Sequence, residues 1–166
     1  DDVINVAGHR LGTKELESAA LTVEEIGEAA AVPAFDELKG RVPELYVSLK
    51  PGVDASTVED LVKGAISTII GPIARPSHVW VTNDLPKTRS GKIMRRVIAA
   101  VSNFIDVGDT TTLANPEVVE EIRLQVQSAK DALNKLAKLA TPVPLADFLG
   151  GEYTLQSLAT NAAEGL

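Results

Sequence analysis

Residues 43–72 constrain the fold more than any other stretch of the chain. From Pro43 to Lys50, Leu45, Val47 and Leu49 alternate with Tyr46, Ser48 and Lys50, the period of two that turns one set of side chains onto a buried sheet face. Pro51-Gly52 predicts a turn. Ser56-Thr57-Val58-Glu59 then has the form of a capping box, in which hydroxyl and carboxylate satisfy the free N–H groups at a helix start. Val58, Leu61, Val62, Ala65 and Ile69 follow at helical spacing, and Gly71-Pro72 ends the run. A strand, a tight turn and an amphipathic helix so close together call for a sheet with helices packed on it.

The rest of the chain extends this pattern. Val3 to Val6 reads as a short strand, and Gly8-His9-Arg10-Leu11-Gly12 as a turn or loop. Thr13 is placed to cap a helix from Lys14 to Leu21, with Glu15 and Glu17 in the first turn where the helix dipole favours acids. Gly27 interrupts, and Ile26 to Val32 reads as a strand of small residues. His78 to Thr82 is a further strand, with Val79 and Val81 on one side and Trp80 on the other. A loop from Asp84 to Gly91 leads to a helix expected near Lys92 that turns Ile93, Val97, Ile98 and Val101 inward. The expectation is an α+β domain: a small, mostly antiparallel sheet of about three strands plus a short strand on the N-terminal side, packed with helices.

Past Asn103 the pattern changes. Asp106 to Leu113 is polar, and Asn115-Pro116-Glu117 is a strong helix start, with Asn at the cap and Pro in the first turn. Ile122, Val126, Ala129, Leu133, Leu136 and Ala140 then form a heptad-like stripe that calls for a partner surface. Thr141-Pro142-Val143-Pro144 predicts a stiff linker. The expected organisation is a domain over 1–113, an amphipathic helical extension over 114–140, and a linker or the start of a following segment over 141–166. Asp1 opens the chain without a start Met, so the chain reads as an excerpt of something longer.

Composition narrows the function. Aromatic residues are only 4% of the chain and the net charge is −7, which disfavours base stacking and general attraction to nucleic acid. Charge is nonetheless uneven: Lys87, Arg89, Lys92, Arg95 and Arg96 lie together with no acid among them. A local cationic spot on an acidic protein predicts a small anion as ligand. No cysteine is present, which removes thiolate catalysis and disulfide frameworks and favours the cytoplasm or an organelle matrix. No apolar run approaches the ~20 residues that span a bilayer, so no membrane partner is expected. His9 and His78 have no carboxylate cluster at ligand spacing, and no metal site is expected.

Lys92 sits between the Ser90-Gly91 turn and an expected helix start, where backbone N–H groups and the ammonium converge on one anion. It is not a Walker loop, because Ile93 follows the lysine and Pro86 stands where the first glycine belongs.

The segment from Pro86 to Arg96, PKTRSGKIMRR, resembles the last conserved motif of the family of acyl- and aryl-CoA synthetases, luciferases and peptide-synthetase adenylation domains, in its acetyl- and propionyl-CoA synthetase form. Asp1 to Thr13, DDVINVAGHRLGT, is similar to that family's hinge motif, and Leu38-Lys39-Gly40 and Ile70-Gly71-Pro72 match in between. The resemblance covers about Asp1 to Leu113, with family-like sequence reaching Lys130. It implies the mobile C-terminal domain of an AMP-forming ligase, in which a carboxylic acid and ATP give an acyl adenylate and CoA then displaces AMP. Lys92 is implied as the catalytic residue of adenylation, Asp1 as the hinge, Gly8 as lining the pantetheine tunnel, and Arg10 as a phosphate contact. ATP, with Mg2+ held outside this segment, CoA and a small carboxylic acid are the implied ligands, and an N-terminal adenylation domain is the implied partner. One position departs: where such synthetases often carry an Arg that holds the CoA 3′-phosphate, this chain has Ser67, with Lys63 one helical turn earlier as a substitute. The tail adds a second expectation, an inter-domain docking module fused to downstream domains as in multifunctional propionyl-CoA synthases.

Overall fold

The computed structural model describes residues 3–140. Its elements are β1 (Val3–Val6), β2 (His9–Gly12), α1 (Thr13–Leu21), β3 (Ile26–Asp36), β4 (Gly40–Leu49), α2 (Val58–Ile69), a 3-10 turn at Pro72–Ala74, β5 (His78–Thr82), α3 (Arg95–Ser102) and α4 (Glu117–Ala140). The α+β class is as expected. β4 is the central strand. β3 lines one side of it from Ile26↔Leu49 to Asp36↔Gly40, and the other side takes β5 from Glu44 to Ser48 and β1 at Gly40. Only β4 and β5 run parallel, and α2 supplies the crossover that a parallel pair requires.

Alternation along the strands builds two cores, one on each face of the sheet. Ala29, Ala31, Leu45, Val47 and Val79 face α1 and α2, where Leu16, Ala20, Val58, Val62 and Ile66 close over them. Ala30, Val32, Tyr46 and Trp80 face the other way, onto Val97, Ile98 and Val101 of α3 and Val118, Val119, Ile122 and Val126 of α4. A single-residue slip of β4 would exchange the two sets, so both faces fix its register. At the centre of the second face Glu44 is 2% exposed, and its Oε1 accepts hydrogen bonds from Trp80 Nε1 (2.9 Å), Ser102 Oγ (2.8 Å) and Tyr46 OH (3.3 Å).

Several local expectations are corrected. The stretch His9–Gly12, read as loop, is strand β2, joined to β1 by a two-residue Ala7-Gly8 turn with φ of 47° and 85°. Positive φ at both central residues is the type I′ hairpin that matches strand twist. Gly12 rather than Thr13 occupies the N-cap of α1, and Glu17 is buried on the helix's inner face, beyond the first turn. The capping box does not form: Asp54 accepts the Ser56 N–H and hydroxyl at 2.9 and 3.0 Å, and Glu59 pairs with Lys63. The buried face of α2 is Val58, Val62 and Ile66, leaving Leu61 and Ile69 exposed. Gly27 lies inside β3, beside a register shift between Ile26 and Glu28, and so marks a bulge rather than a break.

The chain divides into a compact unit ending at Ala129 and a second unit beginning at Lys130. In the first, α4 contributes the core residues already named. In the second, Leu133, Leu136 and Leu139 are exposed. The linker expected after Ala140 and the hinge expected at Asp1 lie outside the described residues. Among the described residues no helix is long and apolar enough to cross a membrane.

Candidate functional site

Lys92 does not begin a helix. It lies on the second arm of a small hairpin, and α3 starts three residues later at Arg95. Thr88 N–H donates to Lys92 O (2.8 Å), Lys92 N–H donates to Thr88 Oγ1 (3.1 Å), Gly91 N–H donates to Thr88 O (2.9 Å), and Lys87 pairs with Ile93. Arg89, Ser90 and Gly91 form the loop, closed by Gly91 at φ 89°. A three-residue loop ending in a left-handed residue is a standard hairpin closure, and glycine adopts that conformation without steric cost. Ser90 Oγ lies 2.9 Å from Thr88 Oγ1. Two of the N–H groups that a helix start here would have aimed at an anion, those of Lys92 and Met94, are instead spent within the hairpin on Thr88 Oγ1 and Pro86 O.

The cationic cluster sorts into two groups. Lys87 forms ion pairs with Asp84 and Glu28, both at 2.7 Å. Arg95 is bound to Glu17, and Arg96 donates to Val107 O at 3.2 Å. Arg89 and Lys92, both exposed at the hairpin tip, have no carboxylate partner among the described residues. Partial burial alone would raise the Asp84 carboxyl, but the Lys87 ammonium and donors from Leu85 N–H and Asn115 outweigh it and hold it below the usual carboxylate range. Burial would likewise lower Lys87, and its bonds to Asp84 and Glu28 instead raise it. The base of the hairpin is thus electrostatically closed while the tip presents free positive charge.

Gly8 and Arg10 are elsewhere. The Ala7-Gly8 turn abuts the start of β4, where Val6 pairs with Gly40 and Ala7 N–H donates to Lys39 O. The Lys92 hairpin is tied through Lys87 to Glu28, which pairs with Ser48 near the end of β4. The two anchor points, Gly40 and Ser48, are eight residue steps apart along β4, about 27 Å at ~3.4 Å per residue. Arg10 is exposed on β2 opposite Asn5, and a side chain built on Gly8 would meet nothing within 4 Å.

Residues 15–92 match the family model described as the AMP-binding enzyme C-terminal domain. They belong to that family. The chain is 49% identical over 129 residues to the acetyl-coenzyme A synthetase of Methanothrix thermoacetophila, covering 76% of this chain and 19% of that one. It is 45% identical over 132 residues to the acetyl-coenzyme A synthetase of Penicillium chrysogenum, covering 78% and 20%. The chain thus spans about a fifth of the length of the relatives it matches. Among solved structures, an acyl-CoA synthetase of Brucella canis aligns with a TM-score of 0.56 at 31% identity, covering 59% of this chain and 18% of that one. An amide bond synthetase of Marinactinospora thermotolerans shares the fold, with a TM-score of 0.57 at 20% identity over 64% of this chain and 21% of that one.

Within this AMP-binding C-terminal domain the remaining candidates are less well placed. Lys63 is engaged by Glu59 at 2.8 Å along α2, and Ser67 Oγ is buried without a hydrogen-bond partner. His78 stacks on Trp80 with ring centroids 5.0 Å apart, and among the described residues no group of His, Cys, Asp and Glu is arranged to hold a metal ion. Sequence reasoning missed Glu17, Asp84, Glu28 and Asn115, which hold the basic segment in place. Glu17 left a signal, since it falls on the apolar face set by Leu16 and Ala20, where a carboxylate needs a cation or donor.

Proposed function

We propose that the chain is the C-terminal domain of an ATP-dependent, AMP-forming short-chain acyl-CoA synthetase. In this reading Lys92 serves adenylation of a carboxylate, and the Gly8 turn with Arg10 serves the later transfer to CoA. The observation that carries it is the separation of the two motifs to opposite ends of β4. One body with two working surfaces anchored about 27 Å apart along β4 serves a single active site by turning, and the Asp1 region is the natural hinge.

The free ammonium of Lys92 gives the first surface its chemistry. Exposed in water, a charge pair at 4 Å is worth about 1 kcal/mol; in a closed site of effective dielectric near ~20 it is worth about 4 kcal/mol. Docking the hairpin against an N-terminal adenylation domain therefore turns a solvated lysine into a stabiliser of the charge that builds as the carboxylate attacks the α-phosphate. ATP with its Mg2+, CoA and a small carboxylic acid are the substrates of this reading, and the cytoplasm or an organelle matrix is its location. The relatives named above are acetyl-coenzyme A synthetases, which supports a short acyl group.

A second reading concerns the C-terminal part of α4. The exposed Leu133, Leu136 and Leu139 favour docking against a neighbouring domain, as in a ligase fused to further enzymes of a multifunctional propionyl-CoA synthase. Both readings are compatible in one polypeptide.

The deciding experiment is Lys92→Ala in the full-length enzyme with the half-reactions followed separately. Adenylation should fall by about 10²-fold, the scale of losing one fixed oxyanion donor, while CoA transfer from supplied acyl adenylate continues. Adenylation at the wild-type rate with CoA transfer lost would sink the assignment.

A further inference from the structure

The ammonium of Lys92 has no carboxylate partner of its own among the described residues, so its position is inherited from the hairpin that carries it. That hairpin has an anchor far along the chain. Asn115 Oδ1 accepts the Lys87 N–H at 2.9 Å, and Asn115 Nδ2 donates to Asp84 Oδ2 at 3.0 Å and to Leu85 O at 2.9 Å. The neighbouring backbone continues the contact, with Ala114 N–H donating to Lys87 O at 2.9 Å and Leu113 pairing with Thr88. The first arm of the hairpin is thereby the middle of a three-layered ladder, with residues 113–115 on one side and 92–94 on the other.

Asn115 therefore does not act as the side-chain helix cap that Asn-Pro-Glu predicts. Both of its amide hydrogens and its oxygen are committed to residues 84–87, and only its backbone carbonyl receives a helical bond, from Val118. The side chain holds at once the backbone of Lys87 and the carboxylate that pairs with the Lys87 ammonium.

We infer that Asn115 is a positioning residue for Lys92: by clamping Lys87 and Asp84 it fixes the hairpin base and so the place of the Lys92 ammonium when the domain closes. This rests on the reading of Lys92 as the adenylation lysine. Catalytic groups must be held within about 0.5 Å of the productive geometry, and a displacement near ~1 Å costs up to about 10²-fold in rate.

The test uses the full-length enzyme with four variants. Asn115→Ala should lower the adenylation kcat by about 10- to 100-fold, leave KM for ATP and the carboxylate within about twofold, and leave CoA transfer from supplied acyl adenylate intact. Asn115→Asp should also be impaired, because it sets a carboxylate against Asp84. Asp84→Asn combined with Asn115→Asp removes the clash of two carboxylates and re-forms the contact between residues 84 and 115 with the roles exchanged, but leaves Leu85 O without its donor. It should therefore recover part, not all, of the rate lost in Asn115→Asp. Lys92→Ala, run alongside, separates the two levels. If Lys92→Ala keeps full adenylation, the reading of Lys92 falls; if it loses adenylation while Asn115→Ala does not, only the role of Asn115 falls. A parallel loss in both half-reactions, or no recovery in the exchanged pair, would also overturn the inference. The near-isosteric Asn115→Asp and its exchange partner keep the test decisive if Asn115→Ala does not fold.

Discussion

Arg95 forks onto Glu17, with Nε to Oε2 at 2.6 Å and Nη2 to Oε1 at 2.5 Å, and so joins α3 to α1. Glu17 Oε2 also accepts the Ala31 N–H at 2.8 Å. Ala31 lies on β3, whose described strand partner is β4 alone, so this carboxylate satisfies a donor on the sheet's outer edge. An edge N–H covered in this way is not available for pairing with another chain.

Glu17→Ala should therefore cost about 2–3 kcal/mol in urea unfolding, since it removes the carboxylate that Arg95 forks onto and leaves a buried backbone donor without its acceptor. Replacing both partners, as Glu17→Leu with Arg95→Met, should recover only part of that loss. The charge is removed, but the Ala31 N–H still lacks an acceptor, at about 1–3 kcal/mol. Full recovery by the double variant would show that the edge N–H carries no weight.

Two non-glycine residues occupy the left-handed region, Ala7 at φ 47° and Phe104 at φ 58°. Phe104 closes α3 in a Schellman arrangement, with Ile105 N–H donating to Ala100 O (2.8 Å) and Phe104 N–H to Val101 O (3.3 Å). A side chain in this conformation costs about 1–2 kcal/mol; Phe104 is 48% exposed, so the buried half of its ring offsets that cost, whereas exposed Ala7 has only a methyl group to lose. Ala7→Gly should therefore raise stability by about 0.5–1 kcal/mol, measured as a higher urea midpoint at unchanged slope, after glycine's greater unfolded-state entropy is deducted. Gly8→Ala should lose about 1 kcal/mol through backbone strain alone, because its Cβ would meet nothing.

The strands were legible where alternation was strict. His78–Thr82 was delimited correctly, and Val79 and Trp80 do face opposite cores. Helix starts were legible in place for α1, α2 and α4 but not for α3, which begins at Arg95 rather than near Lys92. Capping chemistry was not legible, because hydroxyl and amide side chains that look like caps have other acceptors and donors in the folded chain. Ser56 is spent on Asp54 and Asn115 on residues 84–87. The basic segment was legible as charge but not as function. Only tertiary contacts reveal that Lys87, Arg95 and Arg96 are bound within the fold while Arg89 and Lys92 face outward.

The hairpin base carries a pH signature. Asp84 is held below the usual carboxylate range, so its stabilisation is present above its unfolded pKa of about 3.9 and is lost as pH falls through the lower folded value. Lys87 is held above its ordinary value, so its contribution is complete below about 10.4 and is lost as pH rises through the higher folded value. Stability from this clamp should be flat between about pH 5 and 9. Asp84→Asn should flatten the acid limb of unfolding free energy against pH and shrink the alkaline limb too, because Asp84 is one of the two carboxylates that raise Lys87; the part due to Glu28 stays. An unchanged acid limb would mean that Asp84 is not coupled to folding.

Glu44 supplies the last prediction, because three donors that share its Oε1 differ in geometry. Ser102 Oγ at 2.8 Å and Trp80 Nε1 at 2.9 Å lie at good hydrogen-bond distance, whereas Tyr46 OH at 3.3 Å is stretched. Burial first, and the neighbouring Glu44 second, push the Tyr46 hydroxyl well above its ordinary pKa, so it remains a neutral donor at any pH where the fold persists. Ser102→Ala should cost about 2 kcal/mol, the scale of removing one partner of a buried hydrogen bond, and Trp80→Phe at least as much, since the smaller ring also loses contact area. Tyr46→Phe should cost less than about 1 kcal/mol. Chemical unfolding of the three variants checks the order. If Tyr46→Phe proved the most damaging, the carboxylate would depend on its weakest-looking donor, and distance would not be what ranks these bonds.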